Sequence, residues 1–392
     1  MQTGVDAMVA EAFARIRGRS VALLCNQASL TSDVRLSFDA FHAAHQSGVF
    51  NLEAVFGPQH GLWGHTQDNM IEWEGGTDAR TGLTVYSLYG EHREPTQESL
   101  DGVDLFVVDL PDIGARAYTF VWTMVLCMKA CEQAGVPILV LDRPNPIGGT
   151  RVEGPLLDPE YASFIGLHPL PLRHGLTIGE VARHLRAEHY PKADLSVVPV
   201  EGWVPAACGD EPGLLWAMPS PNMPSVDTEV VYPGMCLLEG TNLSEGRGTT
   251  RPFEMFGAPF IDGWDLAAAL NALDLPGVRY RPVVFEPTFD KHAGTACGGC
   301  AVHVLDRDAY EPVLSGIAVL QAVKRLYPDA FEWKQPPFEY DETHMPIDIL
   351  AGTNWVREAV DAFTPLMEIR GRLLSDAAAF ASMREAAILY SR

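Results

Sequence analysis

Short apolar runs alternate with polar loops containing Gly and Pro along the first half of the chain. The runs fall at Ser20–Cys25, 52–56, 84–88, 105–108, 137–141 and 195–200. Most are apolar on both faces and rich in Val, Ile and Leu, the pattern of parallel strands buried between helices. Helical stretches lie between several of them, at 122–133 and at Ile178–His189. The second helix opens on Thr177-Ile178-Gly179-Glu180, a capping-box pattern that assigns Glu180 to the helix end. Alternation of strand and helix predicts a doubly wound α/β domain with a mostly parallel sheet.

The pattern changes where Pro205, Pro212, Pro219, Pro221 and Pro224 crowd together with Gly209 and Gly213. Proline at that density stops helices and central strands. This predicts a first domain over 1–205, a Pro-rich connection over 206–224 and a smaller α+β domain over 225–392. The second domain should contain strands at 236–239, 280–285 and 301–305. Its helices should lie at 263–273, 313–327 and 355–363 and within 366–389. Val313, Ile317, Leu320 and Val323 recur at helical spacing and predict a buried stripe.

Composition narrows the partners. The chain has 392 residues, with 51 acidic and 28 basic side chains, for a formal charge of −23. Nucleic acid and anionic membrane surfaces both require a basic face, so neither is expected. An anionic small molecule stays possible, because a local arginine cluster can oppose the global field. No segment approaches the roughly 20 apolar residues of a membrane helix. The first residues lack the basic stretch and apolar run of a secretory signal, which predicts a cytoplasmic protein, or a secreted or periplasmic one if a signal has been trimmed. Oligomeric state is not legible.

Seven cysteines, Cys25, Cys127, Cys131, Cys208, Cys236, Cys297 and Cys300, fit reduced structural thiols. Cys297-Gly298-Gly299-Cys300 can be read as a redox pair or half a metal site, but zinc needs a second ligand pair. None is evident, so no metal or organic cofactor is expected.

Ligands of open parallel sheets bind beyond the carboxyl ends of the strands. Five successive strands end in polar segments: Asn26-Gln27, Gly57 to Gly61, Tyr89 to Arg93, Asp109 to Arg116, and Asp142 to Pro146. Glycine-rich nucleotide fingerprints are missing, as are a G-x-S-x-G elbow and H-E-x-x-H. What remains is rich in carboxylates, the equipment of glycoside hydrolysis. The second half adds a dense polar segment, 239–251, holding Glu239, Asn242, Ser244, Glu245, Arg247 and Arg251. It reads as a structural loop or as a loop binding sugar or carboxylate.

These motifs resemble the bacterial exo-β-N-acetylmuramidase family, a glycoside hydrolase family. The resemblance runs through Gly4-Val5-Asp6, Asn26-Gln27, Phe56-Gly57-Pro58-Gln59-His60-Gly61 and Tyr86-Ser87-Leu88-Tyr89-Gly90-Glu91. It continues through Asp142 to Gly149, Val152 to Pro155, Arg173-His174-Gly175, Pro219 to Pro224, the segment from Glu239, Lys291-His292 and Cys297-Gly298-Gly299. It implies a Rossmann-like catalytic domain, a C-terminal domain and a cleft between them. It also implies release of N-acetylmuramic acid from the non-reducing end of peptidoglycan fragments. The family motif carries Glu where this chain has Gln59, and an amide cannot act as acid or nucleophile.

Glu91, in a Gly-containing loop at a strand end beside His92 and Arg93, is the first candidate catalytic carboxylate, followed by Glu153, with Glu239 and Glu245 from the other domain. Arg116, Arg173 and Arg247 are the candidates for the lactyl carboxylate of muramic acid. Asn26, Gln59, His60, Asp109, Asp112, Asn145, His174, Asn242 and His292 complete the expected binding set. Asp109 and Asp112 with Arg116 fit an ion-pair network equally well. Two other readings compete with the hydrolase: a muropeptide-binding or sensing protein, motivated by Gln59, and an esterase or amidase using Ser244 or a cysteine.

Overall fold

The computed structural model describes residues 1–67 and 70–392. Among the described residues of the first half, nine strands form: β1 (Ser20–Cys25), β2 (Asn51–Gly57), β3 (Gly76–Thr77), β4 (Thr84–Ser87), β5 (Leu105–Asp109), β6 (Ile138–Leu141), β7 (Glu153–Leu156), β8 (Pro171–Arg173) and β9 (Leu195–Val198). Seven build one sheet in the order β3-β4-β2-β1-β5-β6-β9. All its pairings are parallel except that of the short edge strand β3. The chain starts at the centre, winds out through β2 to β4, then crosses back to β5. The order thus reverses between β1 and β5, as the doubly wound reading requires.

Both faces of this sheet are covered, which explains runs apolar on every residue. Along β1, Ala22 and Leu24 join one buried cluster while Val21, Leu23 and Cys25 join another. Strand β5 divides likewise, with Phe106 and Val108 on one face and Leu105 and Val107 on the other. The expected capping box forms: the Thr177 amide donates to Glu180 at 3.0 Å, and the Glu180 amide donates to the Thr177 hydroxyl at 3.2 Å.

The second half contains an antiparallel sheet of β10 (Met255–Ala258), β11 (Val278–Phe285) and β12 (Cys297–Val304), in the order β10-β12-β11. Helix Gly263–Ala272 packs on this sheet, and helix Pro312–Leu326 packs against that helix. Val313, Ile317, Leu320 and Val323 are fully buried, as their spacing predicts. They belong to the same apolar cluster as Phe56, Phe106 and Trp122 of the first half.

One predicted strand is absent. Residues 236–239 lie in a 3₁₀ turn, Cys236–Gly240, directly after helix Val226–Met235. A short apolar run does not distinguish a buried strand from a buried helical turn. The helix meets Pro312–Leu326 at Gly234, where a Cβ would stand 1.8 Å from the Pro312 carbonyl oxygen. That close crossing fixes the turn carrying Glu239.

Candidate active site

Between the strand ends and the second half lies a narrow cavity lined by Gln59, His60, Tyr118, Thr119, Asn222, Glu239, Arg247, Phe253 and Glu339, among others. Its volume is about 30 Å³, room for about one water molecule. On the far side of Glu339 an open groove of about 880 Å³ runs past Glu72, Glu91, Arg93, Ser163, Phe164 and Tyr340. Glu339 lines both spaces. Three non-glycine residues of the cavity wall, His60, Phe253 and Glu339, have φ of 68°, 62° and 47°. Left-handed backbone at side chains of this size carries strain, and such strain gathers at functional sites.

The polar segment 239–251 is built to be rigid. The Leu243 amide donates to the Thr241 hydroxyl, and the Gly246 amide to the Ser244 hydroxyl. Ser244 and Gly257 exchange backbone bonds of 2.8 and 3.0 Å with each other, tying the loop to β10. Its Ser and Thr content therefore satisfies its own backbone. Ser244 is buried in this role.

Glu239 and Glu245 project from this segment toward Arg247. Arg247 Nη2 is 3.3 Å from Glu239 Oε1, and its Nε is 3.2 Å from Glu245 Oε1. The guanidinium also lies over the Phe253 ring, 5.0 Å from its centre. Glu245 has a second cation: Lys291 donates to it at 2.9 Å and to the Leu238 and Leu243 carbonyls. The two carboxyls consequently shift in opposite directions. Burial raises Glu239, and repulsion from Glu245 adds to this against the pull of Arg247 and Lys291. Burial also acts to raise Glu245, but Lys291 and Arg247 outweigh it and hold this carboxyl low. Two neighbouring carboxyls pushed apart in proton affinity are the asymmetry that acid catalysis uses.

His60 is neutral, because burial pushes it down to about 4. Its Nδ1 lies 2.7 Å from the Thr66 carbonyl, which only N–H can satisfy, so Nε2 is left as an acceptor. Gln59 accepts from the Thr119 hydroxyl at 2.7 Å.

The remaining expected residues divide between the groove and the framework. Glu91 is exposed and lines the groove, not the cavity. Arg116 cannot serve a ligand carboxylate: it is fully buried and donates to the carbonyls of Pro155, Leu170 and Leu350. Burial lowers it to about 9. Arg173 donates to Glu153 at 2.8 Å and to the Ile147 carbonyl. Glu153 and Arg173 are register partners across β7 and β8, so this pair braces a ladder away from the cavity. Asp109 is closed inside a fork from Arg143, at 2.6 and 2.8 Å. Asp112 contacts His174 at 3.2 Å and accepts from the Gly114 amide. Asn145 accepts from the Ile147 amide and donates to Leu176, an Asx turn. Asn242 holds Ala330 and Glu332, and His292 contacts the Asn242 carbonyl at 2.7 Å.

Asn26 and Gln27 both donate to the carbonyl of Pro219. The crevice at the strand-order reversal is thus filled by the Pro-rich segment, and the open site moves toward β2 and the Ala117–Thr119 turn. Cys297 and Cys300 are free and buried. Three residues apart on β12, they point to opposite sheet faces.

Sequence reasoning passed over Thr119, Asn222, Phe253 and Glu339. Asn222 was signalled by its motif Pro219 to Pro224. Glu339 follows Pro336-Pro337-Phe338, which carries no catalytic motif.

Comparison with known proteins gives a consistent picture. Residues 21–227 match the family described as Exo-beta-N-acetylmuramidase NamZ, N-terminal, and residues 230–390 match its C-terminal counterpart. The chain is 41% identical over 392 residues to the peptidoglycan beta-N-acetylmuramidase NamZ of Bacillus subtilis (strain 168), covering 100% of this chain and 91% of that protein. Two crystal structures of DUF1343 family proteins from Bacteroides fragilis NCTC 9343 resemble it over 100% of this chain and 99% of theirs. They have TM-scores of 0.89 and 0.78 at 31% and 28% identity.

Proposed function

This chain belongs to the exo-β-N-acetylmuramidase NamZ family, and from that premise we propose that Glu239 is the proton donor of its glycosidase reaction. The protein is a glycoside hydrolase that releases N-acetylmuramic acid from peptidoglycan-derived saccharides. The observation that carries the residue assignment is the opposite shift of two carboxyls sharing Arg247: Glu239 raised, Glu245 lowered.

A sugar oxygen is a poor leaving group until it is protonated, and a carboxyl with raised proton affinity is suited to supply that proton. Glu239 suits this role because burial disfavours its charge and Glu245 repels it. Glu245 stays ionised, balances Arg247 and Lys291, and acts as a positioning residue. Arg247, the one expected lactyl-carboxylate ligand lining the cavity, places positive charge there within an acidic protein. His60 Nε2 and Gln59 offer an acceptor and an amide for sugar hydroxyls.

The groove is large enough for a glycan chain, and the cavity at its inner wall holds the acid. That arrangement suits removal of one terminal sugar. The test is release of N-acetylmuramic acid by the purified protein from a disaccharide with muramic acid at its non-reducing end. Binding of that disaccharide without product, by a folded protein, supports the sensing reading instead.

A further inference from the structure

The wall between the cavity and the groove is one short stretch of chain that passes from the enclosed space to the open one. Phe338 lines the cavity, Glu339 lines both spaces, and Tyr340, Asp341, Glu342 and Thr343 line the groove. An enzyme that removes one terminal sugar holds that sugar toward the enclosed end. The rest of the saccharide then runs out along the open end, and its first ring passes Tyr340.

Tyr340 is exposed and yet fixed. It is 56% exposed, whereas Phe164 in the same groove wall is buried. The Arg93 guanidinium lies 4.5 Å from the centre of its ring, and its hydroxyl donates to Glu72 at 3.2 Å. Arg93 is held in turn: it lies 4.5 Å from the ring centre of buried Tyr89 and donates to the same Glu72 oxygen at 2.9 Å. The backbone is constrained as well. Phe338 and Asp341 exchange two hydrogen bonds of 2.9 Å around the turn, and Tyr340 has φ 66°. A large side chain keeps left-handed backbone only where its surroundings over-determine it. An exposed aromatic ring with little freedom left to lose is pre-organised for a ligand.

A pyranose ring suits such a surface. Its faces present C–H bonds, which pack on the electron-rich face of an aromatic ring. Its hydroxyls lie at the edge, where carboxylates accept hydrogen bonds of the stronger, charge-assisted kind. Glu72 and Glu91 line the same groove. An uncharged sugar gains from both features, whereas an anionic one would be repelled by these carboxylates. We propose that Tyr340 is the platform for the sugar on the leaving side of the scissile bond, an uncharged N-acetylhexosamine. The inference rests on the glycosidase reading and deepens it. Tyr340 binds the leaving sugar and takes no part in proton transfer.

The experiment compares the parent protein with Tyr340→Ala and Tyr340→Phe. It measures KM for the muramic acid-terminated disaccharide and the inhibition constant of free N-acetylmuramic acid, which has no leaving sugar. Tyr340→Ala should raise KM roughly three- to tenfold, the worth of one aromatic contact. The inhibition constant and kcat should stay within about twofold of the parent, as expected for loss of uniform binding. Tyr340→Phe keeps the ring and should keep the parent KM. A Tyr340→Ala KM within about twofold of the parent overturns the inference. So does a joint rise of KM and the inhibition constant, because the turn is then only a structural support of the cavity. Tyr340→Phe as impaired as Tyr340→Ala overturns it too, since the hydroxyl bond to Glu72 is then what matters. A parent protein that releases no muramic acid refutes the glycosidase reading instead. Calorimetric titration of parent and Tyr340→Ala with the disaccharide then decides the platform by itself, through the same loss of affinity or its absence.

Discussion

Glu239 and Glu245 share the guanidinium of Arg247, at 3.3 and 3.2 Å, yet their proton affinities move in opposite directions. Lys291, which donates to Glu245 at 2.9 Å, is the largest influence lowering Glu245, whereas burial dominates at Glu239. Two carboxyls six residues apart in the chain are thereby held at different proton affinities.

The first consequence concerns pH. Glu239 must be protonated to act, and its value lies above the ordinary glutamate value of 4.5. Turnover should therefore fall as pH rises through the raised Glu239 value. Glu245→Gln removes a repelling charge and leaves Arg247 and Lys291 to stabilise ionised Glu239. The alkaline limb of kcat against pH should then move to lower pH. A limb that stays in place or moves upward contradicts the coupling.

Stability should respond to the same pair. Glu245 is lowered in the folded state, so it contributes stability above its unfolded value, and that contribution is lost as pH falls through the folded value. Glu245→Gln leaves Lys291 and Arg247 buried with one counter-charge fewer and should cost about 3–5 kcal/mol in urea unfolding at pH 7. Glu239 is raised, so its ionised form opposes folding at neutral pH. Glu239→Gln should leave stability equal or slightly higher.

Arg116 gives a contrasting case. Its guanidinium ties Pro155 and Leu170 of the first half to Leu350 of the second. Arg116→Met strands those carbonyls and should cost on the order of 3 kcal/mol or more. Folded variant protein should keep its KM for the disaccharide, because the arginine never meets the ligand. A raised KM with unchanged stability would restore Arg116 to the binding set.

Glu91 separates the groove from the cavity. Standing exposed outside the cavity, it should tolerate Glu91→Gln with less than about a tenfold change in kcat, against the 10²–10⁴-fold expected of a displaced acid. Equal losses in Glu91→Gln and Glu239→Gln would move the chemistry into the groove.

The architecture was legible because each buried strand is a short apolar run and the amphipathic helices have clear periods. Residues 236–239 were misread because the short apolar run Cys236-Leu237-Leu238 fits a buried strand and a buried turn alike. The site was harder to read. Charged residues at strand ends look equally functional in sequence, but Asp109 and Arg143 satisfy each other, as do Glu153 and Arg173, and Arg116 is consumed by backbone carbonyls. Pairing over such separations has no local signature. The segment from Glu239 to Arg247 stood out because its chemistry is contiguous. Glu339 did not, because only the fold brings it to the cavity 100 residues later.

The role of Glu239 is tested most directly by changing how much the leaving group needs a proton. Glu239→Gln should lose roughly 10²–10⁴-fold in kcat on the disaccharide. On an aryl β-muraminide with an acidic phenol as leaving group, which departs without protonation, the same variant should stay within about tenfold of the parent. Equal loss on both substrates would contradict the assignment of Glu239 as the proton donor.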